Sequence, residues 1–452
     1  MSSTSLITPL AGDFTAEAFA AHLADQPSGT PAWWSERKRS AYVQFAAAAL
    51  PSRRDEGWRF SSREKLTLSG FSPAAQKGPL GTLDPAIDFP DTLAQLTFVD
   101  GKLAGRSAPP AEIAATGVVV GTLLEGLSTH SDLLRKHFMA QPQKLGSEKF
   151  AALHTAFVDD GAFVYIPRGV ELTSPIVVTH ATRGAGMAVF PHTLVIAEEN
   201  SKVTVVDVFV SLDRETAGDG STPGQTVRAF ACGANDLYAG HGSSLTYAAA
   251  QMWSGETLSF QLNSTLVRRD ARVQSVNLHL GGKHARHESL SQLQAPGAFS
   301  EMLAVTVASG DQEFDQRTLQ IHQAPNTKSD LLYKNALLDT SKTIFSGLIV
   351  VDPDAQKTDA YQSNRNLMLS DLAEASSLPG LEIQANDVRC THGATSSRIE
   401  PEQLFYLQAR GISEPVANEL LVFGFFEQVL NRLDNEALHA VLIKLIQTKF
   451  KR

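Results

Sequence analysis

The segment 387–393 contains the two residues with the most informative chemistry, Cys390 and His392. On an extended strand, residues two apart project from the same face, so the thiol and the imidazole would lie about 6–7 Å apart. A thiolate and an imidazole can both bind a metal ion or an iron–sulfur cluster. Such clusters generally take four ligands, so this pair would be an incomplete site. The alternative interpretation is a buried thiol beside a hydrogen-bonded imidazole at a strand end.

Two further groups of residues could in principle bind a metal ion, but their sequence context argues against it. The larger group comprises His279, His284, His287 and Glu288. The Gly281-Gly282 pair between its first two histidines indicates a hairpin or bulge, and the H-E-x-x-H order of a zinc protease is absent. The second is Cys232, which lies in an apolar context and is predicted to be a packed core residue.

Motifs of common enzyme classes are missing from the sequence. It contains no G-x-x-x-x-G-K-[ST] phosphate-binding loop and no G-x-S-x-G nucleophile elbow. Gly310-Asp311 and the pair Asp352 and Asp354 could resemble the carboxylates of a glycoside-cleaving enzyme, although turn chemistry explains them equally well. A carbohydrate-active enzyme is therefore one alternative function.

Composition narrows the class of protein. The 452 residues include 39 Lys and Arg against 48 Asp and Glu, a net charge of −9, which argues against nucleic-acid binding. Two cysteines exclude a disulfide framework and a four-cysteine metal site. No segment approaches the roughly 20 apolar residues of a membrane span. The first residues lack the basic and apolar regions of a secretory signal, so we expect a cytoplasmic protein.

The middle of the chain, residues 151–395, is rich in short β-type runs separated by Gly, Asn, Asp and Pro. Six turn-then-strand units recur, and their third residues are separated by steps of 42, 28, 27, 43 and 14, close to multiples of 14. These third residues are Lys202, Ser244, Arg272, Phe299, Lys342 and Gln356. A region this long without helical periodicity favours a β-helix over a sandwich, which normally ends after roughly 100 residues.

Both flanking regions have helical patterns. Residues 1–150 contain two predicted helices, one capped by Asp13 or Thr15 and one opened by Pro31, followed by a strand that enters a hairpin turn at Asp100-Gly101. Residues 396–452 contain helices opened by Pro401, capped by Ser413 and capped by Asp434. In the last of these, apolar residues recur at helical spacing: Leu438, Val441, Leu442, Leu445 and Ile446.

Longer strings in the second half of the chain carry a family resemblance. They are His322–Asp330, Leu332–Lys334, Tyr361–Leu367, Leu369–Asp371, Asp387–Ser396 and Leu404–Gly411. Together with Arg54–Phe60 and Tyr165–Val170, they resemble the SufB/SufD family of iron–sulfur cluster assembly proteins over most of the chain. The single cysteine of the motif at 387–393 and the short N-terminal half favour the SufD branch. Thr391 stands where a serine is more usual, and it retains the hydroxyl group.

The resemblance implies a right-handed parallel β-helix flanked by N-terminal and C-terminal helical domains. It also implies a non-catalytic scaffold that assembles with SufB and the ATPase SufC. Cys390 and His392 would lie where the β-helices of the two scaffold chains pair, and SufB would supply its own cysteine. Iron or a nascent cluster would bind there transiently, the isolated chain would bind no cofactor tightly, and reduced flavin could bind the complex.

The same resemblance places the docking site for SufC on the C-terminal helical domain. The predicted docking residues are Phe405, Tyr406, Leu407, Arg410, Gly411, Leu420, Phe423 and Phe425. ATP-driven dimerisation of SufC would then pull on these helices and move the seam between the β-helices. A structural homodimer, in which the cysteine and histidine serve only packing, is the remaining alternative.

Overall fold

A parallel β-solenoid of about eight turns forms the centre of the chain, and helices flank it on both sides in the sequence. The computed structural model describes residues 13–52, 54–73, 89, 91–183, 186–212 and 228–450. The predicted fold class, a mainly β protein with a parallel β-helix core between helical regions, is confirmed. Among the described residues, no helix is both long enough and apolar enough to cross a membrane.

The solenoid has two parallel sheets whose strands alternate along the chain. In spatial order, sheet I contains β2 (Lys102–Ser107), β1 (Ala94–Val99), β5 (Ile176–Thr182), β8 (Lys202–Ser211), β10 (Ser244–Met252), β12 (Arg272–His279), β14 (Phe299–Ala308), β16 (Lys328–Leu337), β18 (Asp359–Met368) and β20 (Arg389–Arg398). Sheet II contains β19 (Glu374–Ile383), β17 (Lys342–Val351), β15 (Glu313–His322), β13 (His284–Leu293), β11 (Leu258–Val267), β9 (Phe230–Ala239), β7 (His192–Ala197), β4 (Ala162–Ile166) and β3 (Val119–Thr122). The short β6 (Ala188–Val189) pairs with β9.

One turn of the coil contains one strand from each sheet. Ser244 pairs with Arg272, 28 residues later, and Arg272 pairs with Phe299, 27 residues later, so the predicted period of 14 is half a turn. The step of 42 is different from this prediction, because Lys202 pairs directly with Ser244 and the step is therefore one long turn. Its connection includes residues 213–227, outside the described residues. Gln356 precedes β18 and does not begin a strand.

Left-handed backbone at recurring turns starts several strands. Asn200 and Asp270 have φ values of 55° and 53°, two residues before β8 and β12 begin. Asn326 has a φ of 57° at the same position before β16. Asn and Asp tolerate this conformation better than other side chains, which explains their recurrence in the predicted turns.

The N-terminal region begins with helices and then contributes strands to the solenoid. Its helices are α1 (Ala16–Ala24), α2 (Ala32–Ala47), α3 (Ala111–Ala114), α4 (Leu123–Thr129), α5 (Ser131–His137) and α6 (Glu148–Phe157), with 3-10 turns at Glu56–Trp58 and Arg63–Lys65. Thr15 caps α1 by accepting a hydrogen bond from the Ala18 amide. Asp100 and Gly101 both have positive φ between the antiparallel β1 and β2, which confirms the hairpin. The predicted domain boundary at residue 150 lies within α6.

The C-terminal helices are α7 (Pro401–Gln408), α8 (Glu414–Leu430) and α9 (Glu436–Phe450). α8 and α9 form one apolar cluster with the outer side of sheet I. From the strands this cluster includes Val276, Leu303, Val305 and Leu332, and from α9 it includes the predicted Leu438, Val441, Leu442, Leu445 and Ile446, all buried. The side chain that caps α9 is Asn435 and not the predicted Asp434, because Asn435 Oδ1 accepts from the Leu438 amide at 2.9 Å.

Candidate functional site

The last strand of sheet I, β20, carries both Cys390 and His392. It pairs with β18 along one edge, and within the described part of the chain no strand pairs with its other edge. β19 ends sheet II in the same way. Most β20 residues are exposed, so the solenoid has an open end at this strand.

The pairing of β18 with β20 places Cys390 and His392 on the inward face of the coil. Cys390 is aligned with Ala360, and His392 is aligned with Gln362. Ala360 and Gln362 are buried, and they belong to the columns of side chains that fill the solenoid. The cysteine and histidine therefore share one face of β20 and extend these columns to the open end, where no further turn of the described chain covers them.

The environments of the thiol and the imidazole differ. Cys390 is half-buried and packs against the apolar cluster that contains Val351, Ala360 and Ala385. Burial raises the pKa of the Cys390 thiol above its ordinary value, and the Asp359 carboxylate raises it further. The thiol is therefore protonated at neutral pH, and it must release this proton when it binds a metal ion. His392 is exposed.

Cys390 and His392 do not complete a metal site with other residues of the described chain. No group of three or more His, Cys, Asp or Glu side chains among the described residues has the geometry to hold a metal ion. Any remaining ligands for iron must therefore come from outside the described residues. We call Cys390 and His392 the half-site.

The second histidine group is divided between the two faces of its strands. His279 and His287 stack inside the solenoid with ring centroids 3.7 Å apart, and burial lowers the pKa of His287 to about 3. Glu288, on the opposite face of β13, accepts a hydrogen bond from Arg286 at 2.6 Å. Strand alternation therefore separates these residues and gives each a structural role.

The remaining sequence candidates have structural explanations. Cys232 is fully buried, its thiol donates to the Phe150 carbonyl at 3.3 Å, and burial raises its pKa, as expected for an inert core residue. Gly310-Asp311 lies in the turn between β14 and β15, where Asp311 forms an ion pair with Lys283 at 3.4 Å. Asp352 and Asp354 lie in the turn before β18.

A layer of amide side chains lies directly beneath the open strand. Gln362, Asn364 and Asn366 alternate along β18 and are aligned with His392, Ala394 and Ser396 of β20. All three amides are buried. Asn366 Nδ2 donates to Asn364 Oδ1 at 3.1 Å, and the Ser377 hydroxyl on β19 donates to Asn364 Oδ1 at 2.7 Å. The sequence analysis assigned these amides no role, although their spacing of two was the available signal.

The predicted docking residues of α7 are largely exposed. Phe405 is 71% exposed and Tyr406 is 56% exposed, and no residue of α7 is buried. The Arg410 guanidinium lies over the Tyr406 ring at 3.5 Å, and Gly411 follows the helix with a φ of 83°. Leu407 is only partly buried.

The predicted docking residues of α8 divide between the surface and the interior of the helical domain. Leu420 is 50% exposed. Phe423 instead packs near Phe450 of α9, and Phe425 lies beneath the Lys334 ammonium group at 4.5 Å. The surface available to a partner is therefore formed mainly by α7 and the exposed side of α8.

Polar contacts fasten the end of α8 to successive strands of sheet I. Arg432 forms ion pairs of 2.8 Å with Glu301 on β14 and with Asp330 on β16. Gln274 on β12 donates to the Arg432 carbonyl at 3.0 Å. These three strand residues are aligned across the sheet, so the helical domain is attached to three turns of the solenoid.

Two family descriptions match consecutive parts of the chain. The SufBD protein N-terminal region matches residues 19–178, and the SUF system FeS cluster assembly SufBD core domain matches residues 179–425. The chain belongs to the SufBD family.

Relatives from both branches of the SufBD family are similar to this chain. The iron–sulfur cluster assembly protein SufD of Bacillus subtilis is 28% identical over 93% of this chain and 95% of its own length. SufD of Escherichia coli is 28% identical over 87% and 88% of the two chains. SufB of Bacillus subtilis is 26% identical over 72% and 67%. The more extensive match to SufD agrees with the predicted branch.

Proposed function

We propose that this chain is the SufD-type scaffold subunit of a cytoplasmic SufBCD complex, and that it supports iron–sulfur cluster assembly without itself catalysing a reaction. One observation carries the proposal. A thiol and an imidazole lie together on the exposed last strand of the solenoid, and no third ligand joins them within the described chain. A second scaffold chain that pairs at this end would complete the site.

In this proposal a SufB chain packs its own β-helix against β19 and β20 and contributes further ligands. Iron and the nascent cluster are the cargo of this seam. Cys390 loses its proton and binds iron as a thiolate, and the neutral imidazole of His392 binds through one ring nitrogen. The high pKa of the Cys390 thiol keeps the half-site protonated until the cargo arrives.

The ATPase SufC would dock on the exposed side of the C-terminal helices, which presents Phe405, Tyr406 and Leu420. Clustered exposed aromatic and aliphatic side chains are typical of partner-binding surfaces. Arg432 and the apolar cluster beneath α8 would then transmit movement of this domain to the strands of sheet I.

The test is anaerobic reconstitution of clusters on the complex of this chain with SufB and SufC. We expect Cys390→Ala and His392→Ala to lower the iron and sulfide content, and the double variant to lower it most. Thr391→Ala, which changes the exposed residue between them on the opposite face of β20, serves as the matched control and should retain assembly. Size-exclusion chromatography verifies that each complex remains intact. Undiminished assembly with the double variant would contradict the proposal.

The open end could alternatively pair with a second copy of this chain. Light scattering of the isolated chain and of its mixture with SufB separates these assemblies. A homodimer that persists in the presence of SufB would favour the structural alternative, whereas a mixed complex supports the scaffold function.

A further inference from the structure

The residue directly beneath His392 in the solenoid is Gln362, and its amide is unlike its neighbours in the same column. Strand pairing aligns His392 with Gln362, Gln362 with Leu331, and Leu331 with Met302. Leu331 and Met302 are buried and apolar, and Gln362 is fully buried. The column therefore becomes polar only at the position that lies next to the histidine.

The Gln362 amide is held across the interior of the solenoid. Its Nε2 donates to the Gly347 carbonyl on β17 at 3.2 Å. A side-chain carbon at Gly347 would lie 2.7 Å from the Gln362 amide carbon, so the glycine makes room for this amide. Gln362 Oε1, however, is buried and has no hydrogen-bond partner among the described residues. A buried acceptor without a partner costs free energy and requires an explanation.

A histidine that binds a metal ion supplies the missing partner. Such a histidine almost always donates its other ring N–H to a carbonyl, a carboxylate or water, which fixes the tautomer and the orientation of the ring. His392 is the inward residue aligned with Gln362 on the one described strand that covers β18 at the open end. The carbonyl oxygen of Gln362 is thus available where a ligating His392 needs an acceptor.

We propose that Gln362 is a positioning residue for His392, whose ring N–H it accepts at Oε1 when the histidine binds iron. The bond leaves the other ring nitrogen of His392 to face the seam with the partner chain. The inference rests on the proposed function, because it assigns a role to Gln362 only if His392 binds the cargo.

The test is the Fe(II) affinity of the reconstituted complex, measured anaerobically by competition with a chelator. Gln362→Met keeps the approximate length of the side chain and removes the acceptor, and we expect roughly 10- to 100-fold weaker binding, the usual effect of losing such a partner. Gln362→Glu keeps an acceptor oxygen and should restore most of the affinity. Gln320→Met is the matched control, because Gln320 is also buried with both amide atoms unpartnered but lies on β15, away from the half-site.

A second measurement on the isolated chain does not depend on complex assembly. Nitrogen-15 spectra of labelled histidines, with His392 assigned from the His392→Ala variant, report the ratio of its two neutral tautomers. Gln362→Met should shift this ratio, whereas Gln320→Met should not. Unchanged iron affinity and an unchanged tautomer ratio in Gln362→Met would overturn this inference alone. A wild-type complex that binds no Fe(II) would overturn the proposed function and this inference together.

Discussion

The covered strands of the solenoid and the strands at its open end have the same backbone geometry but different surroundings. Every residue of β15 is buried, because the interior fills one face and the N-terminal region covers the other. In β20, by contrast, most residues are exposed. Terminal turns of a solenoid need a covering element, and a bare strand edge invites pairing with another chain. The difference identifies the open end as the surface on which a partner completes the fold.

The same comparison explains why inward residues serve different purposes along the coil. In the covered part, inward polar groups satisfy one another across the two sheets: Gln316 of sheet II donates to Thr306 at 2.7 Å and to Asn335 at 3.1 Å in sheet I. At the open end, Cys390 and His392 occupy equivalent inward positions without a following turn. A position that is structural in the middle of the coil is therefore available for metal chemistry at its end.

The sharpest way to break this comparison is to remove one side chain from each region. Phe260 of β11 is buried and stacks on Phe150 of α6 at 3.7 Å, so Phe260→Ala should lower the free energy of unfolding by about 3–5 kcal/mol. Cys390→Ala removes one half-buried atom at the open end and should cost less than about 1 kcal/mol. Urea unfolding of the isolated chain, followed by tryptophan fluorescence, measures both. Equal losses would contradict the assignment of β20 as an uncovered strand.

The covered strands also show what the sequence could and could not predict about the fold. Turn residues gave the half-turn period, since Asn200 and Asp270 adopt the left-handed conformation that precedes a strand. Alternation of polar and apolar residues could not assign faces in β15, because both of its faces are buried. Inward and outward positions became clear only from the register between strands.

The candidate site was predictable in part for a similar reason. The spacing of Cys390 and His392 was sufficient to place them on one face of a strand. Their exposure depends on β20 being the last strand of its sheet, which is a property of the whole coil and not of the local sequence. The alignment of Gln362 beneath His392 likewise required the pairing of strands about 30 residues apart.

A second test compares two ion pairs, one in each region. Arg432→Gln leaves Glu301 and Asp330 without their cation beneath α8, and we expect a loss of about 1–3 kcal/mol in the free energy of unfolding. Arg398→Gln is the matched substitution at the open end, where the pair with Asp371 is largely exposed and screened by solvent. We expect no measurable loss from it. Urea unfolding and limited proteolysis of the C-terminal helices report both variants.

A reversed order of these two effects would show that the C-terminal helices are not fastened through Arg432. The proposed transmission of movement from the ATPase to sheet I would then lose its polar connection. A loss in Arg432→Gln that is confined to protease sensitivity of residues 401–450 would instead locate the effect at the junction between the helices and the solenoid.

The smallest expected effect concerns a cation buried in the N-terminal covering region. The Lys38 ammonium donates to the carbonyls of Val158 at 2.5 Å and Ala156 at 3.3 Å, and it lies 3.0 Å from His22 Nε2. Burial lowers the pKa of Lys38 from 10.5 to about 7, against the opposing effect of the Asp159 carboxylate. The neighbouring groups titrate at lower pH, since the pKa of Asp159 is about 6 and that of His22 is about 3.

Between these two pKa values of Lys38, the unfolded chain holds a proton that the folded chain has lost. The contribution of Lys38 to the free energy of unfolding should therefore rise with pH across this window, by about 1 kcal/mol from pH 7 to pH 8. Well below pH 7 both states are protonated and the contribution is constant. Lys38→Met should abolish the rise, so the difference between wild type and variant in urea unfolding should grow in favour of the wild type as the pH increases. A difference that is independent of pH would mean that the ammonium group is hydrated, and that the covering region is as open to solvent as β20.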